Sequence, residues 1–291
     1  MNSGYPKWAP YVLISPFLAV FIVFMAYPML YSMVLATQQT HGPQTRQFVF
    51  LDNFYYLMTD PLFWKAVRNT FVFAAGSVFI QLPLSLGLAM LLNHPKVRGR
   101  IFFRLIFFSP ALVGTVFIAL MFRLMFDKQG LINFSLHGLF PWFDPEFPWL
   151  DRFVMGSLIV AAMWQYVGFN MIYFLAALQN VSKELSEAAM MDGAGPVQRF
   201  FNVTIPAIRP IASFVVLLSL IGSFQLFELA WVLLNNSTGP NDQGLTVVVY
   251  LFQKGFINGK LGYASAIGWA LVVLLMVFAV IQRRLGQMDE D

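Results

Sequence analysis

Charge is what this sequence has least of. Its 18 Lys+Arg and 14 Asp+Glu make up 11% of the chain, against roughly 25% in a soluble globular domain. With 58% hydrophobic and 17% aromatic residues and a mean hydropathy of +0.68, it has too little polar surface to cover itself in water, which all but excludes a soluble enzyme. Cysteine is absent, so disulfides, thiolate catalysis and thiolate metal sites are excluded, and cysteine usage says nothing about redox compartment. The three histidines, His41, His94 and His137, stand far apart and lack the paired spacing of a metal site. Basic residues are not concentrated either: a net +4 with no dense stripe argues against nucleic acid as a partner.

Phosphate chemistry is missing too. Gly255-Phe-Ile-Asn-Gly259-Lys260-Leu261 is the nearest approach to a phosphate-cradling loop, but its spacing is wrong and the hydroxyl residue is lacking. Gly193-Ala-Gly195 has no third glycine of a dinucleotide fingerprint, and no nucleophile elbow appears. The chain therefore reads as a passive path with no catalytic residue and no bound cofactor, driven by an ion gradient or by another subunit.

What is present is long runs without charge. Six windows qualify: Trp8 to Thr45, Asn69 to Pro95, Leu105 to Phe122, Phe153 to Ser182, Pro210 to Phe227 and Leu261 to Gln282. A bilayer core about 30 Å thick takes roughly 20 helical residues, and in lipid every backbone group must bond within its own segment. The reading is an all-α membrane protein of six transmembrane helices, the third reaching to Phe126 and the fifth through Glu228 to Leu234. The apolar run from Tyr11 to Leu35 is too long for the roughly 7–15 residues of a signal-peptide core, so the first helix is expected to be retained. Lys96, Arg98, Arg100 and Arg104 share a short loop with no acid, which places that loop in the cytoplasm. Both termini then lie there, and the whole excess of +4 falls on that face. The expected divisions are an N-terminal helix and external loop over 1–66, a five-helix transmembrane domain over 67–284 and a cytoplasmic tail over 285–291.

Polar residues inside the windows mark a candidate solute path. Gln165, Tyr166, Phe169, Asn170 and Tyr173 share one face of the fourth helix by spacing, and Leu218, Ile221, Gln225 and Glu228 share one on the fifth. Thr115 follows the helix-bending Pro110 and Gly114 on the third. Amides and aromatic rings suit a sugar, offering hydrogen bonds to hydroxyls and flat faces for stacking; the alternative is that the amides bond a neighbouring helix. A carboxylate at a bilayer centre costs roughly 2.5–3.5 kcal/mol on insertion scales. Counted along an unbroken helix from Pro210, however, Glu228 lies about 27 Å away, near the outer boundary, where it reaches water. Between the third and fourth windows, Gly138-Leu-Phe-Pro-Trp-Phe-Asp-Pro-Glu-Phe-Pro-Trp149 breaks any helix and reads as an interfacial aromatic anchor, with contact to an external partner as the alternative.

The longest cytoplasmic connection, about 181–206, reads as two short helices. Ser182 is a natural N-cap with Glu184 in the first turn, and Gly193 can take the left-handed conformation that ends a helix. Pro196 suits the start of the second, whose end Pro206 and Pro210 would mark. The string Glu187-Ala188-Ala189, two residues, Asp192-Gly193-Ala194, then Val203-Thr-Ile205-Pro206 resembles the "EAA" loop of bacterial ABC importer permeases. The resemblance covers almost the whole chain and points to the sugar-permease branch, of maltose and glycerol-3-phosphate type. Pro10 to Pro16, Leu51-Asp52-Asn53-Phe54, Asn69-Thr70, Leu86-Gly87-Leu88-Ala89, Phe224-Gln225-Leu226-Phe227 and Gly262-Tyr263-Ala264-Ser265-Ala266 follow in that branch's order. Asn235 to Pro240 departs from it where members often carry a glycine run.

The resemblance implies a type I ABC importer permease fold in the bacterial cytoplasmic membrane. It further implies a second, related permease subunit, two ATP-binding subunits that hold ATP and Mg, and an external solute-binding protein. Glu187, Ala188, Ala189, Asp192, Gly193 and Ala194 would form the coupling helix that docks on an ATP-binding subunit. The rivals are an ion-coupled secondary transporter, which would need paired intramembrane charges, and an ABC permease for a non-sugar solute.

Overall fold

The computed structural model describes residues 8–41 and 45–287. The end of the expected 285–291 tail lies outside them. In chain order the elements are α1 (Pro10–Ala36), a hairpin of β1 (Gln38–His41) and β2 (Thr45–Phe48), α2 (Asp52–Thr59), α3 (Pro61–Asn93), α4 (Arg100–Leu112), α5 (Thr115–Met125), α6 (Leu131–Leu139), α7 (Val154–Gln179), α8 (Lys183–Met191), α9 (Pro196–Phe224), α10 (Glu228–Leu233), α11 (Val247–Ile257) and α12 (Leu261–Gln287). Five of them, α1, α3, α7, α9 and α12, are long and apolar enough to cross a membrane. The pair α4 and α5, bent by 98°, adds a sixth if it is one span.

Prolines shape these helices without ending them. A proline offers no N–H to the carbonyl four residues earlier, and its ring crowds that carbonyl; a turn widened to i→i+5 bonding accommodates the mismatch. Ile22–Ala26, Ser77–Gln81 and Phe200–Thr204 are such π turns, and they contain Phe24, Asn202 and Phe79, which stand four residues before Pro28, Pro206 and Pro83 respectively in the order 28, 206, 83. The expectation that Pro206 and Pro210 close a short helix is therefore corrected: Pro196–Phe224 runs on as one helix.

Two other windows are broken where one helix was expected. Pro110 lies in a 3-10 turn, Ser109–Leu112, after which Val113 (ψ 135°) and Gly114 (ψ 137°) are extended, so the third window divides into α4 and α5. The fifth helix stops at Phe224 rather than running to Leu234, because Phe227 adopts φ −133°, ψ −68° before α10 begins. The Leu226 carbonyl freed there accepts a hydrogen bond from Thr246 Oγ1 at 2.7 Å, so the buried break is satisfied.

By contact the chain divides into two units. One comprises residues 1–60 and 251–272. In it Thr40 pairs with Arg46 across the antiparallel hairpin. Asn53 Nδ2 donates to the Ala36 and Gln38 carbonyls, each at 2.9 Å. Thr40 Oγ1 accepts the Gly262 N–H at 3.0 Å, and Tyr263 OH donates to Asp60 Oδ2 at 2.6 Å. The residues that looked like family markers here, Asn53, Gly262 and Tyr263, are thus tie points.

The other unit comprises residues 61–250 and 273–291 and is built around α7. Over its span α7 is 56% buried, the value of a helix surrounded by others. Leu82, Ala89 and Leu92 of α3 pack with Met171, Phe174, Leu175 and Leu178 of α7 and with Ile208 and Val215 of α9. Gly168 is what lets α4 lie against α7: a Cβ there would stand 1.7 Å from the Phe107 carbonyl oxygen. Asn69 Nδ2 donates to the Asp242 and Leu245 carbonyls at 2.8 and 3.0 Å, and Thr70 Oγ1 accepts the Val247 N–H at 3.1 Å.

Candidate functional site

The irregular points of the helices meet at one cavity of about 370 Å³ within the second unit. The π turn of α3 supplies Ser77 and Gln81, the start of α5 supplies Thr115, and the middle of α7 supplies Tyr166, Phe169 and Asn170. From α9 come Leu218, Ser219 and Ser223, and from the break beyond it Gln225, Leu226, Phe227 and Glu228. The π turn of α3 and the break after α9 are irregular where they line the cavity, and irregular backbone at membrane depth is tolerated where it lines a cavity.

Hydrogen bonds set the wall. Ser77 Oγ and Ser219 Oγ lie 2.7 Å apart, joining α3 to α9. Gln165 is 3% exposed and stands behind the lining; its Nε2 donates to Thr115 Oγ1 at 3.1 Å. That bond anchors the first residue of α5, which follows the 98° bend between α4 and α5, to α7. Rings support the same face: Phe169 stacks on Phe108 with centroids 6.4 Å apart and meets Tyr173 edge-on at 5.2 Å. Of the path residues expected from spacing, Thr115, Tyr166, Phe169, Asn170, Leu218, Gln225 and Glu228 are brought to the cavity, while Gln165, Tyr173 and Ile221 are not in its lining. Glu228 does not sit at the far end of a long helix, because the helix it was counted along ends four residues earlier.

Sequence reading missed Ser77, Gln81, Ser219 and Ser223. Ser77 and Gln81 had a signal, the proline at 83 that widens the turn in front of it. The serines of α9 had none, since nothing in that run distinguishes them from helix-capped serines facing a neighbour.

The 181–206 segment is a second candidate. Ser182 Oγ accepts the Leu185 N–H at 3.4 Å as the N-cap of α8. At its other end Gly193 takes φ +80°, the Gly193 N–H donates to the Met190 carbonyl at 3.1 Å and the Ala194 N–H to the Ala189 carbonyl at 2.9 Å. This is a Schellman closure, and it needs a residue that tolerates positive φ. Glu187, Ala188, Asp192 and Gly193 are exposed, and Ala189 and Ala194 half-buried. Met191 is 89% exposed and Leu185 59%, so α8 presents apolar side chains from a short, capped and otherwise polar helix. Among the described residues no cluster of His, Asp and Glu could hold a metal ion.

The aromatic segment is only partly an outward-facing anchor. Trp142 is 81% exposed, but Trp149 turns inward against Phe126, Phe143, Phe147 and Phe153.

The chain as a whole resembles known transport proteins. The family described as binding-protein-dependent transport system inner membrane component matches residues 81–287. The chain is 36% identical over 284 residues to the arabinooligosaccharides transport system permease protein AraP of Bacillus subtilis (strain 168), covering 96% of this chain and 89% of that one. It is 34% identical over 275 residues to the lactose transport system permease protein LacF of Rhizobium radiobacter, covering 94% and 92%. In fold it resembles a chain in the crystal structure of a bacterial ABC transporter involved in the import of the acidic polysaccharide alginate, with a TM-score of 0.82 at 22% identity over 97% of this chain and 96% of that one.

Proposed function

Since the chain belongs to the family of binding-protein-dependent transport system inner membrane components, we propose that it is one of two permease subunits of an ATP-driven importer for a sugar or sugar-like solute. The sugar class draws support from AraP and LacF, whose names refer to arabinooligosaccharides and lactose. The cavity supports it as well, since amides, hydroxyls and ring faces converge there with few charges.

In this reading the chain crosses the bacterial inner membrane six times, α4 and α5 together making the third span, with both termini in the cytoplasm. Residues 1–66 form the first helix and external loop, 67–284 the transport domain and 285–291 a tail. A second permease completes the path, an external binding protein delivers the solute, and two partner subunits bind and hydrolyse ATP with Mg. The chain itself binds no nucleotide and catalyses no reaction.

The observation that carries the proposal is α8: a capped helix, exposed on most of its surface, bearing Glu187 and apolar Met191 where a docking partner can reach both. Glu187 to Ala194 would seat on an ATP-binding subunit, and the continuous helix α9, which begins two residues after Ala194 and runs to the cavity, would carry that subunit's closure to Leu218 and Ser219. Rigid transmission along one unbroken helix is the physical advantage over two short ones. The test is Glu187→Lys. The complex should still insert and assemble to at least half the normal amount, while solute-stimulated ATP hydrolysis falls at least about tenfold, the loss expected when a charge at a docking surface is reversed. Transport at the unaltered rate would refute the coupling role.

A further inference from the structure

We propose that the cavity between α3, α5, α7 and α9 selects uncharged hydroxylated solutes over anionic ones, and that Glu228 sets this preference. The inference rests on the reading of this cavity as the solute path. Among its lining residues there is one ionisable carboxylate, Glu228, and no Lys, Arg or His. The other polar groups are neutral: the hydroxyls of Ser77, Thr115, Tyr166, Ser219 and Ser223 and the amides of Gln81, Asn170 and Gln225.

Recognition of a carboxylate or phosphate calls for a cation or a convergent set of N–H donors. Neither is present. Arg123, the basic residue of α5, donates instead to Asn235 Oδ1 at 2.8 Å. Helix α10, which begins at the cavity, has only six residues and places Glu228 itself in its first turn. The Glu228 carboxylate is exposed to the cavity and has no ion-pair partner among the described residues.

A carboxylate accepts two or more hydrogen bonds from adjacent hydroxyls, so it favours a polyol over a solute that presents no donors. The same charge repels a uronate or a phosphate ester, and the low dielectric of an apolar wall strengthens that repulsion. Phe169 and Phe227, both partly exposed, line the remaining surface and offer apolar ring surface to the C–H side of a pyranose, an interaction indifferent to charge. The neutral wall therefore binds the sugar as such, and the single carboxylate decides against the acidic ones.

The experiment is equilibrium binding of neutral trisaccharides, maltotriose and arabinotriose, and of trigalacturonate to the assembled importer in nanodiscs. The external binding protein is left out so that only the membrane cavity discriminates. At least one neutral probe should bind about tenfold or more tightly than trigalacturonate at low salt, the effect of one like charge at short range. Glu228→Gln should narrow that ratio at least threefold, whereas Glu228→Asp, which keeps the charge, should retain it. Equal or tighter binding of trigalacturonate by the unaltered importer, or a ratio unmoved by Glu228→Gln in a complex that still assembles, overturns the inference while leaving the solute path intact. Binding of no probe by a complex that still hydrolyses ATP overturns the solute-path reading, and this inference with it.

Discussion

Asn133 shows how much one side chain can organise. It is fully buried, and its Nδ2 donates to the Lys128 and Phe147 carbonyls at 2.9 and 3.0 Å while its Oδ1 accepts the Trp149 indole N–H at 2.7 Å. Phe147 and Trp149 lie in the segment that composition assigned to the membrane surface, and Lys128 lies before it. Replacing Asn133 by Ala would strand the indole N–H and take a donor from the Lys128 and Phe147 carbonyls, the second of which keeps the Trp149 backbone N–H; a buried unsatisfied group costs about 1–3 kcal/mol. The expected result is faster amide hydrogen exchange across 127–149 and a lower thermal midpoint, with Trp142, which already faces outward, unaffected in its quenching by external solutes. The distinction between Trp142 and Trp149 was not legible in the sequence, because both have the same aromatic, proline-rich surroundings. It depends on an amide sixteen residues before Trp149. Glu228 is a similar case: its charge was plain in the sequence, but its place at the cavity follows from a backbone break that moves it off the helix it was counted along.

At the scale of elements, absence of charge located the helices but not their ends. Helix α3 begins at Pro61 and carries Lys65 and Arg68 before the charge-free window opens, and α9 begins at Pro196 and carries Arg199 and Arg209. Charge is excluded by lipid, whereas helical bonding continues as long as the backbone can make it; a window therefore measures the membrane and undercounts the helix. Prolines misled in the opposite direction, since π turns absorb them. Glycine use was legible where the chain itself turns, as at Gly193, and hidden where a distant helix approaches, as at Gly168. Gly168→Ala would force a methyl to 1.7 Å from the Phe107 carbonyl oxygen, and backbone on both sides leaves no flexible atom to yield. Overpacking of this kind costs about 1–3 kcal/mol. The variant should accumulate less and melt earlier, while Gly138→Ala, whose added Cβ meets nothing within 4 Å, should match the unaltered protein.

For the molecule as a whole, the lack of cysteine becomes an experimental advantage. A single introduced cysteine is the only thiol in the chain, so its reaction with a membrane-impermeant maleimide reports one position without background. His94 and Gly138 are both exposed, and the proposed topology puts them on opposite sides of the membrane. Gly138→Cys should label in intact spheroplasts and His94→Cys only after the membrane is opened; the reverse pattern would invert the topology. The sequence by itself determined that this is a membrane protein built of long helices, which loop resembles the EAA loop, and which polar residues stand inside apolar runs. These properties are local, since hydropathy, capping and spacing along a helix act over a turn or a window. Tertiary structure decided which of those polar residues meet. The bend at Gly114, the π turn before Pro83 and the break at Phe227 each redirect backbone, and only their combination brings Thr115, Ser77, Asn170 and Glu228 to one cavity. That convergence depends on angles between helices far apart in sequence, fixed by close packing such as that at Gly168, which no single segment encodes.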